Sequence, residues 1–153
     1  MVSLPAPRPV LWALRPQASA RVVRSHDAGR RIVTIEHAPL VGVTAEMLAW
    51  WYGHVPGTMQ YAGATYPRYL VWHPLDHITY DVENRAGPVR AGSKLHIVEA
   101  LGRDPDSVLD IHVTVERVDE RSAVISKRIA GSSVVRLETE FESVGAGTRY
   151  DAR

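Results

Sequence analysis

The amino-acid sequence predicts an α+β protein in which an antiparallel sheet is the main element and one or two short helices accompany it. From about residue 94 onward, successive runs alternate apolar and polar residues, which is typical of half-buried strands. The links between these runs, such as RDPD and DERS, are short and of the turn type, so neighbouring strands are expected to pair antiparallel. The clearest helical spacing lies in the segment LVGVTAEMLAWWYG.

The composition is that of an ordinary globular chain and excludes several functions. The chain has 153 residues, which suits one domain, and 45% of them are hydrophobic and 23% charged. The formal net charge of +1 and the scattered arginines give no basic patch for a nucleic acid. No apolar run approaches the roughly 20 residues that span a bilayer, so we expect no membrane partner. The sequence has no cysteine, which fits a cytoplasmic location and leaves His, Asp and Glu as metal ligands.

The first part of the chain differs from the rest. Residues 1–28 are rich in proline, alanine and arginine and are predicted to form an extended arm, followed by one domain at residues 29–153. Prolines interrupt the arm at positions 5, 7, 9 and 16, so it does not resemble a signal peptide. Two arrangements of the arm remain open. It is either a loose tail or a segment that docks on the domain through Val10, Leu11, Trp12 and Leu14.

A short helix is predicted after Thr44, which is a suitable N-cap residue. Glu46 would lie near the positive end of the helix, and Gly53 with the following VPG would end it. Helical spacing places four residues on one face: Met47, Trp50, Trp51 and His54. This face would pack on the sheet as a lid, and it could also line a ligand site.

Strand periodicity predicts which side chains point inward. In the strand at 109–115 one face is apolar, and His112 lies on the opposite, solvent face. In the strand at 135–141 the inward residues are predicted to be Val135, Leu137, Thr139 and Phe141, and the outward ones Arg136, Glu138 and Glu140. In the strand at 95–101, Glu99 shares a face with Leu95, Ile97 and Leu101, and this face is preferred as the inward one. The inverted strand, with His96, Val98 and Ala100 inward, stays open as the alternative. A carboxylate on an apolar face is costly unless it is hydrogen-bonded, paired or bound to a metal.

The segment YLVWHPLDHITYDV carries the densest cluster of polar and aromatic residues. Tyr69–Trp72 and Ile78–Glu83 are predicted strands, and Pro74 places a turn or bulge between them. His77 and Glu99 would then come from successive strands and could be two ligands of a zinc ion. A structural interpretation stays open, in which His73 caps a turn and His77 is a hydrogen-bonded core histidine.

Three segments together resemble the diacetylphloroglucinol hydrolase family, which includes the phloretin hydrolases. They are HAPLVGVTAEMLAWWY, YLVWHPLDH and the strand with IVEALG, and the resemblance covers about residues 31 to 150. The resemblance implies a helix-grip fold, as in the birch-pollen allergen and lipid-transfer superfamily, with a curved antiparallel sheet around a cavity. It also implies a zinc-dependent hydrolase that cuts the C–C bond between an acyl group and a phenolic ring.

The resemblance also implies roles for individual residues. His77 and Glu99 match the first histidine and first glutamate of the family's zinc ligands, and Tyr69 matches a tyrosine that bonds a ring hydroxyl of the substrate. His73 is a candidate for the catalytic acid, although no family residue corresponds to it. The family's other two ligands lie on a long C-terminal helix in an H-x-x-x-E arrangement. Residues 100–153 are predicted to contain no such helix, and their one H-x-x-x-E, from His112 to Glu116, lies in a predicted strand with His112 outward.

This departure leaves three expectations open. The chain is a truncated hydrolase, or it is completed by a partner chain, for example as a homo-oligomer through an exposed sheet. The third alternative is a non-catalytic module of the same fold that binds a small aromatic or lipid ligand.

Overall fold

The computed structural model describes residues 4–6, 8–11, 13 and 20–153. Within them the strands are β1 (Arg21–Asp27), β2 (Arg30–Glu36), β3 (Leu40–Val41), β4 (Thr58–Tyr61), β5 (Ala64–Pro67), β6 (His77–Val82), β7 (Lys94–Ala100), β8 (Val108–Val118), β9 (Ser122–Ile129), β10 (Ser132–Val144) and β11 (Gly147–Ala152). The helices are α1 (Ala45–His54) and α2 (Arg68–Trp72), and a single 3₁₀ turn covers Leu101–Arg103. No helix among these residues is both long enough and apolar enough to cross a lipid bilayer.

The predicted α+β helix-grip fold is wrong. Strands hold 53% of the described residues and helices 13%, and nine of the strands belong to one large antiparallel sheet in the order β1-β2-β11-β10-β9-β8-β7-β6, with β3 beside β11. The two α-helices of the described chain have 10 and 5 residues, so they cannot supply the long helix that a grip requires. The alternating residues in the second half of the chain instead form long strands, one of which, β10, has 13 residues.

The chain divides into two compact units. The first comprises Met1–Ala13 and Gly53–Val115, and the second comprises Leu14–Tyr52 and Glu116–Arg153. Trp12 and Leu14, two of the four residues through which the arm could dock, lie outside the described residues. Residues 21–27 of the predicted arm form β1, which pairs along its whole length with β2.

In the first unit β6, β7 and the first part of β8 pair antiparallel. Leu95 lies opposite Val113 and Ile97 opposite Ile111, so the apolar residues of β7 and β8 share one face. We call this face, on which Leu95 and Val115 are fully buried, the inner face of the first unit. The predicted outward position of His112 on β8 is confirmed. Leu101, which was predicted to point inward, is exposed because the strand ends at Ala100.

The second unit is built on the hairpins of β9, β10 and β11 and on the hairpin of β1 and β2. Its core contains Leu48 of α1 together with Ala123 and Phe141. The predicted N-cap is confirmed, since the Thr44 hydroxyl accepts a hydrogen bond from the Met47 amide at 3.2 Å. The predicted buried face of α1 is wrong, because Leu48 is buried and Met47 is exposed.

Strand β10 also departs from its predicted pattern. Of its four residues predicted to point inward, Thr139 and Phe141 are buried, but Val135 and Leu137 are exposed. Glu138, predicted to face solvent, is buried. Its carboxylate accepts hydrogen bonds from Arg117, Arg136 and Arg153, which satisfy the charge.

Candidate functional site

The segment that carries the predicted site forms a helix and a turn before it enters the sheet. Tyr69–Trp72, predicted as a strand, belongs to helix α2. Pro67 ends β5 and directly precedes the helix, and Pro74 follows its last residue by two positions. Proline without an N–H suits both positions, because neither needs to donate to a ladder. The chain then enters β6 at His77.

A bulge at the start of β6 aims His77 at Glu99. From Thr79 onward, β6 residues pair in one register with β7, in which Thr79 lies opposite Val98. That register would place His77 opposite Ala100, but one extra residue on β6 puts His77 opposite Glu99 instead. Directly opposite residues of an antiparallel pair share a face, so the imidazole and the carboxylate lie side by side.

Three predicted residues thus come together, and we call Tyr69, His77 and Glu99 the inner site. The Tyr69 hydroxyl donates a hydrogen bond of 2.5 Å to Glu99 Oε1. His77 Nε2 lies 3.5 Å from the same oxygen. The rings of Tyr69 and His77 stack with centroids 3.7 Å apart and planes 7° apart. Side-chain exposure is 11% for His77 and 23% for Glu99, so the site is buried but reachable from solvent through Glu99.

The hydrogen bonds of the inner site fix the tautomer of His77. Its Nδ1 lies 2.7 Å from the backbone carbonyl of Tyr69, and a carbonyl can only accept, so Nδ1 carries the proton. Burial lowers the pKa of His77 to about 4, so the ring is neutral at pH 7. Nε2 therefore presents a lone pair towards the Glu99 carboxylate. Two acceptors that face each other at 3.5 Å are an arrangement that a cation or a water molecule would bridge.

Buried phenols and a buried guanidinium surround these groups. Burial, with the neighbouring Glu99 carboxylate as the second cause, raises the pKa of Tyr69, so its hydroxyl stays protonated and can donate. Burial also raises the pKa of Tyr80, whose ring centroid is 4.9 Å from that of Tyr69. Arg8 donates to the backbone carbonyls of Pro74 at 2.9 Å and His77 at 3.2 Å. It thereby holds the turn that delivers His77 into the sheet.

His73, the candidate acid, is exposed at the edge of the inner site. Its Nδ1 lies 3.7 Å from Asp76 Oδ2, and its ring centroid is 5.3 Å from that of His77. The imidazole is therefore close to the inner site and open to water, as a group that exchanges protons with solvent must be. The backbone amide of His77 donates a hydrogen bond to the His73 carbonyl at 3.2 Å, which fixes the turn between the two residues.

The donor set of the inner site fits a metal that keeps open positions. In a tetrahedral zinc site with bonds near 2.0 to 2.1 Å, neighbouring ligand atoms lie about 3.3 Å apart. The separation of 3.5 Å between His77 Nε2 and Glu99 Oε1 is close to this value. A histidine that donates its other N–H to a backbone carbonyl, and a carboxylate held by a tyrosine, are the usual supports of metal ligands.

Sequence reasoning missed a second group of possible ligands. In the described part of the chain, one set of at least three His, Asp or Glu side chains has all its ligand atoms within 4.8 Å of one another, and it is His96, Asp110 and His112. These residues point outward on β7 and β8, and the link of residues 101–107 sets the register that places His96 opposite His112. A count centred on RDPD alone would have placed His96 one residue away, opposite Val113.

No model of a known protein family matches the chain, and a search of curated proteins finds no match either. The resemblance to the diacetylphloroglucinol hydrolases therefore stays a prediction that rests on the residues quoted above.

Proposed function

We propose that the inner site holds a divalent metal, zinc by preference, and hydrolyses the C–C bond between an acyl group and a phenolic ring. The observation that supports this proposal most strongly is the bulge that sets a neutral His77 beside Glu99, with the imidazole lone pair towards the carboxylate. The proposal takes its substrate class from the family resemblance and its residues from this geometry. It does not depend on the helix-grip fold.

His77 and Glu99 would hold the metal, which would supply a Lewis acid for the ketone oxygen and for water. The chain's own residues then orient the substrate. The Tyr69 hydroxyl already donates to Glu99, and a phenol oxygen can also accept, so a ring hydroxyl of the substrate can donate to Tyr69. Trp72 and Tyr80 lie against Tyr69, with ring centroids at 6.4 and 4.9 Å, and would pack on the aromatic ring.

The overall reaction consumes one water molecule and yields a carboxylic acid and the deacylated phenol. The bond between the carbonyl carbon and the ring breaks, the water oxygen ends in the acid, and a proton is delivered to the ring carbon. His73 is placed to deliver that proton, because its imidazole is exposed to solvent and its ring centroid lies 5.3 Å from that of His77.

The direct test measures acetate release from monoacetylphloroglucinol by protein that has been stripped of metal and reloaded with zinc. We expect release by the wild-type protein and none above background by Glu99→Gln, which keeps the shape of the side chain and removes its charge. Glu142→Gln is the matched control, since Glu142 is an exposed residue of the second unit paired with Arg149. Equal release by the wild type and Glu99→Gln, or none by either, would refute the hydrolase.

A non-catalytic binding module for a small aromatic ligand is the second candidate function. The ring cluster of Tyr69, Trp72, His77 and Tyr80 favours it, because stacked and edge-on rings form a surface for a further aromatic ring. Such a module would bind a phenol saturably without metal, and quenching of tryptophan fluorescence would report the binding. Saturable quenching without acetate release would decide for this function.

Self-association and a cytoplasmic location remain proposals as well. Val134, Val135 and Leu137 of β10 are exposed, and an apolar strand surface of this kind can pair with a second copy of the chain. Size-exclusion chromatography of the wild type and Leu137→Glu tests this, since a dimer should dissociate in the variant.

The proposed cytoplasmic location rests on the cysteine-free sequence.

A further inference from the structure

Two histidines face each other across the strands on the side of the first unit's sheet that is opposite to the inner face. His96 of β7 and His112 of β8 are directly paired in register. Their rings stack with centroids 4.4 Å apart and planes 4° apart. Because side chains alternate along a strand, His96 points away from the face that holds Leu95 and Ile97. His112 does the same on β8, where its side chain is 61% exposed.

A carboxylate accompanies each of these imidazoles. His96 Nε2 lies 2.9 Å from Asp110 Oδ1, and His112 Nδ1 lies 2.9 Å from Glu83 Oε1. We call Glu83, His96, Asp110 and His112 the outer site. Its residues come from three different chain segments, which the sheet register brings together: the end of β6, β7 and β8.

The hydrogen bonds of the outer site orient one nitrogen of each imidazole so that it could bind a metal. A carboxylate can only accept, so in the neutral ring of His112 the proton lies on Nδ1 and the lone pair on Nε2. Glu83 thus has the place of a supporting carboxylate that orients a ligating histidine. His96 Nε2 donates its proton to Asp110 Oδ1 at 2.9 Å, and a metal can take the place of that proton if the two atoms part by a few tenths of an ångström.

We propose that the outer site binds a transition-metal ion of the zinc, nickel and copper type through His96, His112 and Asp110, with Glu83 as the orienting group. The proposal is independent of the proposed function, because neither residues nor ligand atoms are shared with the inner site. Two imidazoles and one carboxylate with all ligand atoms within 4.8 Å provide the three protein ligands that an open metal site uses.

The ligand types also predict which ions the outer site should not bind. Magnesium and calcium prefer sets of oxygen ligands, and here two of three ligands are imidazole nitrogens. Affinity should follow the order of manganese, cobalt and nickel, with copper highest and zinc below copper. An exposed patch that attracted cations by charge alone would not reproduce this order.

The test titrates metal-stripped, full-length protein with nickel by calorimetry and repeats the titration with magnesium. The Glu99→Gln background is used, so that binding at the inner site does not contribute. We expect one nickel ion per chain and no heat from magnesium. His112→Ala should weaken nickel binding by more than the roughly 10- to 100-fold that loss of an orienting partner costs, and Glu83→Gln should weaken it within that range.

His26→Ala is the matched control, because His26 is an exposed histidine on strand β1 of the second unit. It should leave the nickel isotherm unchanged. His96→Asn serves as a second ligand variant, and circular dichroism of each variant checks that the fold is kept. The proposal is overturned if nickel binds equally well to His112→Ala and His96→Asn, if His26→Ala loses binding to the same extent, or if magnesium competes with nickel.

Discussion

The inner site and the outer site lie on opposite faces of the sheet of the first unit and both combine histidine with carboxylates, yet burial gives them different chemistry. In the inner site His77 is nearly buried, its pKa is lowered to about 4, and a backbone carbonyl fixes its tautomer. In the outer site His112 is exposed and His96 is partly exposed, and each faces a carboxylate at 2.9 Å.

This difference shows that the face of the strand determines what a histidine can do. Burial keeps His77 uncharged, with its lone pair towards Glu99, which is the arrangement that the proposed metal site requires. Exposure leaves the outer histidines free to rearrange around an ion. A strand that alternates its side chains can therefore carry both kinds of site within a few residues, as β7 does with His96 and Glu99.

The largest expected effect on stability comes from truncating a buried apolar side chain of the inner face. Leu95 is 1% exposed, so Leu95→Ala should lower the free energy of unfolding by about 2 to 5 kcal/mol. Leu109→Ala is the matched control on β8, because Leu109 is 41% exposed and should cost about 1 kcal/mol or less. Urea unfolding of both variants measures the two values. Both leucines lie on the inner face, so equal losses would mean that Leu95 is not more deeply buried than Leu109.

The second effect is acid sensitivity that originates in His77. The imidazole takes up its proton near pH 6.5 in the unfolded chain but only near pH 4 in the folded one. Between these values the unfolded state binds more protons, so the contribution is constant above pH 6.5 and stability falls as the pH drops towards 4. The total loss should be roughly 3 kcal/mol in metal-free protein.

Urea unfolding at a series of pH values from 7 to 4 checks this sensitivity. His77→Gln should flatten the curve over this window. Ile78→Val, which keeps the imidazole, should lower the curve by about 1 kcal/mol evenly at every pH. A wild-type slope that survives in His77→Gln would assign the acid sensitivity to another group.

The third effect is the loss of stability when one polar contact is removed, compared between the inner site and the outer site. Tyr69→Phe removes the donor to the Glu99 carboxylate and should cost about 2 kcal/mol, since a hydrogen bond to a charged group in a buried place is lost. Asp110→Asn alters the exposed contact with His96 and should cost between about 0 and 1 kcal/mol. Unfolding midpoints of the two variants give the comparison, and a larger cost for Asp110→Asn would reverse our assignment of the two faces.

The smallest expected effect is a pH dependence of stability that originates in Glu138 of the second unit. Hydrogen bonds from Arg136 and Arg153 lower the pKa of Glu138 to about 2 from the usual 4.5. The carboxylate therefore contributes stability above pH 4.5 that is lost as the pH falls towards 2, a lower window than that of His77. The arginines are about half exposed, so we expect only about 1 to 2 kcal/mol. Glu138→Gln should abolish this dependence in unfolding experiments between pH 5 and 2, while the dependence between pH 6.5 and 4 persists.

Local patterns were sufficient for part of this molecule. The Thr44 hydroxyl accepts a hydrogen bond from the first turn of α1, and strict alternation on β8 places His112 outward. Both positions can be predicted from residues close by in the sequence. Glu99 was expected among apolar neighbours on the inner face, and the structure places it opposite His77. In each of these positions, one residue type and its spacing carry the information.

The remaining features depend on contacts that are distant in sequence. Short apolar runs such as Tyr69–Trp72 do not distinguish helix from strand, and the flanking prolines decide for α2 here. Glu138 is buried because arginines from β8 and the end of the chain meet its carboxylate. The outer site requires the register of β7 and β8, which no single segment contains.

The most direct test of the central claim is a crystal structure of zinc-loaded protein with anomalous diffraction measured at the zinc edge. We predict an anomalous peak within about 2.0 to 2.2 Å of both His77 Nε2 and Glu99 Oε1, and its loss in crystals of Glu99→Gln. A map with no peak between these two atoms, whether or not zinc occupies the outer site, would contradict the account of the inner site as a metal-dependent hydrolytic centre.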